Sequence, residues 1–384
     1  MAFMRLGMFF LTPLALLAQL SIAPPASVGM SAAQLDRAAQ LLQTETSEGR
    51  VLSASLLVAR DGRIVLHRGF GRLHSDKNSP ATKPDTVYLL ASISKPITVA
   101  GLMLLVDRGL VSLADPVSRY LPEFQGEDRA KVRVRDLLTH TSGLPDMLPE
   151  NTKLRREHAP LSEFVNRATR TPLLYEPGKD FAYQSMGTLL ASEIAQRIAK
   201  QPFRDYLKRE VFEPLGMTNT ALGMGPHKIE NTAWCQTGER SNPDDLARFG
   251  PNSPYWRDMG HPWGGVHSTT TDLAVLLQTF LNGGSFNGKR IFSPATVAAM
   301  TRDQNAHVGA PWGLGWGLAT SKVWSYFGDL CSPSTFGHSG ATGTVAWADP
   351  ERKLVCVILT TRPSGQDGGR LLRLVSNAVS AAIQ

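Results

Sequence analysis

The sequence predicts an α+β fold, an antiparallel sheet flanked by helices with a helical lobe inserted into it. Three observations carry that prediction. Near the N-terminus, Ala54–Arg60 and Arg63–His67 read as strands about Asp61-Gly62, a dipeptide favoured in two-residue hairpin turns. The final part of the chain is again strand-rich, and the stretch between consists of helical patterns broken by Pro and Gly. Strands at both ends of a chain share one sheet most simply when the middle is an insertion. Residues 24–384 therefore read as a single domain, with an α/β lobe of residues 31–90 plus 285–384 and a helical lobe of residues 91–284.

Each element has its own warrant. Met1 to Leu20 carries one charge, Arg5, and Leu6–Leu20 is almost wholly apolar, the layout of a secretory signal. Ser21-Ile22-Ala23 offers small residues for cleavage, so residues 1–23 read as a signal peptide of a secreted or periplasmic protein. The alternative is an uncleaved anchor, the one route by which this chain would meet a membrane. Ser31 suits an N-cap, and Leu35, Ala38, Ala39 and Leu42 recur at helical spacing from Met30 to Glu48. After the hairpin, the polar loop Gly71–Pro84 leads into Thr86-Val87-Tyr88. Ile97–Val106 is apolar on every side, which predicts a buried helix, and Asp107-Arg108-Gly109 supplies its polar end and C-cap. Helical patterns follow at 136–138, 161–170, 187–200 and 203–211. Gly216–Gly265 reads as irregular, and helical patterns return at 272–281 and 294–300. Strands are expected at 315–319, 335–338, 343–348 and 353–361, with Pro350-Glu351 in a turn, before an amphipathic helix over Arg370–Ile383.

Composition narrows the function. Apolar residues make up 42% of the 384-residue chain and charged residues 19%, as in a globular protein. The net charge of +7 is mild, and the basic clusters Arg129–Arg135 and Lys153–Arg156 are short and lack interleaved aromatics, so they read as solvated faces and no nucleic-acid partner is expected. Three cysteines make no disulfide framework. Cys356 sits in the apolar run Leu354–Leu359 as a small buried hydrophobe, and a Cys235–Cys331 bridge is allowed only in an oxidising compartment. His261 and His267 lack a third ligand, so no metal is expected. Trp312-Gly313-Leu314-Gly315-Trp316-Gly317 lacks the strand-to-helix turn of a dinucleotide loop and reads as a strand whose Trp side chains pack in the core or border a cleft; no cofactor is expected. His140 reads as a structural hydrogen-bonder.

The chemistry-bearing stretch is Ala91-Ser92-Ile93-Ser94-Lys95-Pro96. Residues i and i+3 of a helix lie roughly 5–6 Å apart on one face, so the Ser92 hydroxyl and the Lys95 amine can meet. A lysine desolvated by a packed helix loses its proton near neutral pH and can activate a serine, while free N–H groups of the first turn can hold an oxyanion. The same spacing also fits an N-cap Ser beside a surface Lys. Acyl transfer needs a second proton carrier and a second oxyanion donor. Tyr183, in the loop before the helix that follows Ser185, suits the first role if a cation lowers its pKa. Phe336-Gly337-His338-Ser339-Gly340-Ala341-Thr342-Gly343, a glycine-flanked strand entering a hairpin, suits the second through the N–H of Ala341.

Ser92-x-x-Lys95, Tyr183-x-Ser185 and His338-Ser339-Gly340, in this order, resemble the serine β-lactamase and penicillin-binding-protein superfamily, and most of all its class C-like branch of β-lactamases, D-amino-acid peptidases and family VIII carboxylesterases. Arg135-Asp136-Leu137-Leu138-Thr139-His140-Thr141-Ser142-Gly143-Leu144, Glu176-Pro177-Gly178, Pro214-Leu215-Gly216-Met217 and Gly264-Gly265-Val266-His267-Ser268 are also similar to that branch, and the resemblance runs from Ala32 to the C-terminus. It implies a β-lactamase/transpeptidase-like fold and an acyl-enzyme on Ser92. Lys95 would be the base, Tyr183 the proton relay and the N–H groups of Ser92 and Ala341 the oxyanion hole, with Ser185, His338, Ser339 and Gly340 binding substrate. Two departures stand out. Ser185 replaces the Asn usual in the second motif, and His338 replaces the Lys usual in the third; both weaken recognition of an anionic β-lactam. The expectation is a carboxylesterase-like serine hydrolase of small esters or amides. A β-lactamase or D-Ala-D-Ala carboxypeptidase is the nearer alternative, and a non-catalytic scaffold of the same fold the alternative from another class.

Overall fold

The computed structural model describes residues 20–238, 242–321 and 326–384. The expected signal segment therefore lies outside the described residues up to position 19. Beyond it, Leu20 is buried, and Ser21–Ile22 (β1) pairs in parallel with the edge of the sheet. Among the described residues no helix is long and apolar enough to cross a membrane.

The main sheet has seven strands. Ser53–Arg60 (β2) and Arg63–Gly71 (β3) form the expected hairpin, whose Asp61 and Gly62 both take positive φ, 51° and 73°. The short strands Tyr88–Leu89 (β4), Ala221–Leu222 (β5) and Val266–Ser268 (β6) make a small sheet of their own, and Ser285–Phe286 (β7) pairs with Lys289–Arg290 (β8). Gly317–Leu318 (β9), Phe336–Gly340 (β10), Thr344–Asp349 (β11) and Leu354–Thr360 (β12) complete the main sheet in the order β1-β3-β2-β12-β11-β10-β9. All its pairings but that of β1 are antiparallel. The N-terminal hairpin thus joins the C-terminal strands directly, as the sequence pattern requires.

Both faces of the sheet are covered, which explains why β2 and β12 read as continuous apolar runs. Leu56, Val58, Leu354, Cys356 and Ile358 bury on one face under Ala32–Ser47 (α1) and the C-terminal helix. Leu57, Ala59, Val355, Val357 and Leu359 bury on the other, in a core continuous with the helical lobe. That lobe includes Ser94–Asp107 (α2), Val134–Thr139 (α3), Asn151–Arg156 (α4), Leu161–Ala168 (α5), Met186–Ala199 (α6), Phe203–Leu207 (α7) and Glu213–Leu215 (α8). Every residue of α2 from Ser94 to Leu105 is buried, so its all-round apolarity is a consequence of packing on all sides.

The structure departs from the sequence reading at three places. Between 216 and 265, read as irregular, stand Pro243–Phe249 (α9) and Pro254–Asp258 (α10), each begun by Pro at its first position behind a capping side chain, Asn242 and Ser253. Thr270–Leu281 (α11), expected in the helical lobe, packs on β2, β11 and β12. The strand expected at 315–319 shrinks to β9, because Gly315 takes φ 79° and Trp312 folds back to bridge Gly317; Trp312 and Trp316 are both buried. Pro294–Thr301 (α12) and Arg370–Ser380 (α13) fall close to their expected spans.

Candidate active site

Ser92 lies in a single turn of 3-10 helix, Ala91–Ile93, immediately ahead of α2 and partly open to solvent. Three segments fix that turn. On one side β4 pairs with β6, and the Leu90 N–H donates to the Val266 carbonyl at 2.9 Å. On another, the end of β10 presses against it so closely that a Cβ on Gly340 would stand 2.1 Å from the Leu90 oxygen, while Thr342 and Thr344 donate their hydroxyls to the Leu89 and Leu90 carbonyls at 2.9 and 2.8 Å. Only glycine fits at 340, and Ala341 is thereby held at the turn beside Ser92. The third is the loop His261–Val266. It is stitched to α2 by the Thr98 hydroxyl on the Pro262 carbonyl at 2.8 Å and by the Val266 N–H on the Ser94 hydroxyl at 2.9 Å. Within this frame Ala91 takes φ 49°, a left-handed conformation that costs a non-glycine residue roughly 1–2 kcal/mol. Strain of that kind persists only where surrounding contacts impose it.

Lys95 Nζ donates to Ser92 Oγ at 3.1 Å and to the Trp263 carbonyl at 3.3 Å. The side chain is 1% exposed, and burial pushes its pKa down to about 7, against a small opposing pull from Asp146. Among the described residues the ammonium has no carboxylate in hydrogen-bond contact, so desolvation outweighs the attraction of Asp146 and the neutral amine is favoured. The Tyr183 ring lies 4.6 Å from Lys95 Nζ. Its phenol, however, is pushed up rather than down, because burial outweighs the hydrogen bond from Ser92 that favours the phenolate. The expectation of a cation-lowered Tyr183 is therefore corrected. Tyr183 is a neutral phenol, and a proton can pass through it only as donor and acceptor at once.

Around these three residues lies an aromatic wall. His140 ends α3 in a left-handed conformation, φ 64°, and its Nδ1 accepts the Gln184 N–H at 3.2 Å, which places the ring proton on Nε2. Its ring meets those of Tyr183 at 4.6 Å and Trp312 at 5.0 Å. Trp312, fully buried, thus packs against the His140 and Tyr183 rings beside the site. His338, fully buried on β10, contacts the Tyr183 and Trp312 rings at 6.0 and 5.7 Å, and its Nδ1 donates to the Ser339 carbonyl at 2.7 Å. Burial pushes the imidazole down to about 3, so no cation stands at this position.

Ser339 and Ser185, both expected to bind substrate, are buried. Ser339 pairs with Val345, which belongs to the core under α1 and α13, so the pleat turns the Ser339 side chain away from the cleft that His338 faces. Ser185 is buried, and its hydroxyl is already engaged, donating to Asp146 Oδ1 at 2.6 Å. Asp146 and the Trp263 carbonyl are the site groups that sequence reasoning missed. Asp146 lies two residues beyond Gly143-Leu144, the end of a stretch singled out for its resemblance, and that was the available signal. A backbone carbonyl has no residue signature at all.

A family model described as Beta-lactamase matches residues 38–380. The chain belongs to the β-lactamase family. It is accordingly a serine hydrolase with the β-lactamase/transpeptidase-like fold. Among its relatives is a protein of Salmonella enteritidis PT4 (strain P125109) described as a candidate D-alanyl-D-alanine carboxypeptidase, 31% identical over 380 residues that span 90% of this chain and 86% of the relative. Among solved structures, a penicillin-binding-protein homologue from Caulobacter crescentus superposes with a TM-score of 0.74 at 22% identity, covering 92% of this chain and 99% of that one. A family VIII carboxylesterase superposes with a TM-score of 0.73 at 21% identity, covering 91% and 99%. These two similarities bear on the fold, which they share with this family member.

Proposed function

We propose that this protein hydrolyses small carboxylic esters or amides through an acyl-enzyme on Ser92, as a carboxylesterase does. The observation that carries the reading is the 3.1 Å contact between Ser92 Oγ and a buried lysine amine that, among the described residues, has no hydrogen-bonded carboxylate. Neutral Lys95 takes the Ser92 proton as Oγ attacks the carbonyl carbon. The N–H groups of Ser92 and Ala341 hold the oxygen that becomes negative, and Tyr183 passes the proton to the departing alcohol or amine. Water then repeats the sequence on the acyl-enzyme, releasing the acid and regenerating Ser92.

The choice of ester over β-lactam rests on charge. His338 is buried and uncharged, so the cation that would pair with a β-lactam or peptide carboxylate is missing from β10. A D-alanyl-D-alanine carboxypeptidase is the second reading, favoured by the 31% identical relative. On the composition of residues 1–23, the protein works outside the cytoplasm, in the periplasm or secreted.

Side-by-side hydrolysis of p-nitrophenyl butyrate and nitrocefin, with Ser92→Ala as control, tests the proposal. Ester turnover without nitrocefin turnover supports it. Nitrocefin turnover at a comparable rate makes the protein a β-lactamase, and residual ester turnover in Ser92→Ala above roughly 10⁻⁴ of the parent removes Ser92 from the mechanism.

A further inference from the structure

The second motif of this site holds a feature that acyl transfer does not use. Where an Asn is usual, Ser185 presents a hydroxyl that is committed to Asp146 at 2.6 Å, and the Ser185 N–H also donates to the Asp146 carbonyl at 3.2 Å. Ser185 is 1% exposed and stands at the N-terminus of α6, whereas Asp146 is exposed, so a buried hydroxyl two residues from Tyr183 tethers an exposed carboxylate beside the site. The carboxylate is close enough to act electrostatically on both Lys95 and Tyr183. Among the described residues of the site no permanent cation answers it: His338 and His140 are buried and uncharged, and Lys95 is largely neutral above pH 7.

We infer that Asp146, held by Ser185, is a specificity-determining anion that selects substrates carrying a positive charge near the scissile carbonyl and disfavours those carrying a carboxylate. An exposed carboxylate beside a reaction centre lowers the energy of a cationic ligand and raises that of an anionic one, with both effects weakened by salt. The inference rests on the acyl-enzyme reading above and gives it a substrate class, cationic esters or amides, which sets it apart from a carboxypeptidase that must accept a free carboxylate.

The test uses three p-nitrophenyl esters of similar length and fixed charge: 5-trimethylammoniopentanoate, hexanoate and the adipate monoester. At pH 8.5 the parent protein should show kcat/KM at least about tenfold higher for the cationic ester than for the anionic one, and the ratio should fall as salt is raised. In Asp146→Asn, whose amide oxygen can still accept the Ser185 hydroxyl, the cationic-to-anionic ratio should fall to within about threefold. A ratio unchanged by Asp146→Asn, or a parent preference for adipate, overturns the inference. If hexanoate itself is not turned over, the esterase reading fails separately. The charge preference is then read from the rates at which fluorophosphonates with cationic or anionic tails label Ser92, where loss of preference in Asp146→Asn supports the inference and an equal preference in both proteins sinks it.

Discussion

At the scale of single residues, the site turns on a lysine that the fold holds near its point of titration. Burial moves Lys95 down to about 7, so the fraction of neutral amine grows through neutrality and kcat/KM for an ester should climb from pH 6 to pH 8 with a limb near 7. A limb near the ordinary lysine value would deny Lys95 the role of base. The same shift has a sign for stability. Between about pH 7 and the ordinary lysine range the unfolded chain binds a proton that the folded chain does not, so stability rises with pH across that window. Lys95→Met should flatten this dependence and abolish turnover, measurable by thermal unfolding at pH 6.5 and 9. Tyr183→Phe keeps the ring against His140 and Lys95 but removes the proton carrier, and should lower kcat by about 10²–10⁴ with little change in melting temperature. An unchanged kcat would mean that water alone carries the proton. Ser92, Lys95 and Tyr183 were legible in the sequence because they stand in ordered motifs. Asp146 was not, because its link to Ser185 spans 39 positions and exists only after folding.

At the scale of elements, the site is built where three backbones meet, and glycine decides whether they can. Gly340→Ala drives a methyl into the Leu90 carbonyl, 2.1 Å away, and must push β10 off the Ser92 turn; a loss of several kcal/mol or of soluble protein is expected, with activity lost in any folded fraction. Gly365→Ala, with nothing within 4 Å of the added methyl, is the control and should stay within about 0.5 kcal/mol of the parent by chemical denaturation. Equal stability of the two variants would show that β10 does not clamp the turn. The hairpin, α1, α13 and β12 were legible because each carries a local signal: an Asp-Gly turn, a Ser cap or an unbroken apolar run. α9 and α10 were hidden because five- and seven-residue helices offer too few turns for a periodicity, and their Pro and Gly neighbours read as loop. The strand expected at 315–319 was overstated because alternating Trp and Gly imitate a strand's period while Gly315 breaks its backbone.

At the scale of the whole molecule, the two ends of the described chain close upon each other. Met30 bridges Ile383, the Ser31 N–H donates to the Ala382 carbonyl at 2.7 Å and the Gln384 N–H to the Gly29 carbonyl at 2.9 Å. A circular permutant that joins Gln384 to Gly29 through a short flexible linker and opens the chain at Asn287-Gly288, in the turn between β7 and β8, should fold and hydrolyse the ester within about threefold of the parent rate. An insoluble or inactive permutant would show that residues 20–28 or the β7–β8 turn are needed for the fold. The order of the sheet also bears on how the chain is made. β12, made long after β2, lies at the middle of the sheet between β2 and β11, and long-range pairs such as the Ser53 N–H on the Thr361 hydroxyl span 308 positions. The N-terminal hairpin leaves the ribosome long before its partner exists. No nascent chain can assemble the nucleophile's surroundings until β10 and the strands beside it have left the ribosome, so Ser92 stays silent through most of this domain's synthesis and becomes competent in one late closure.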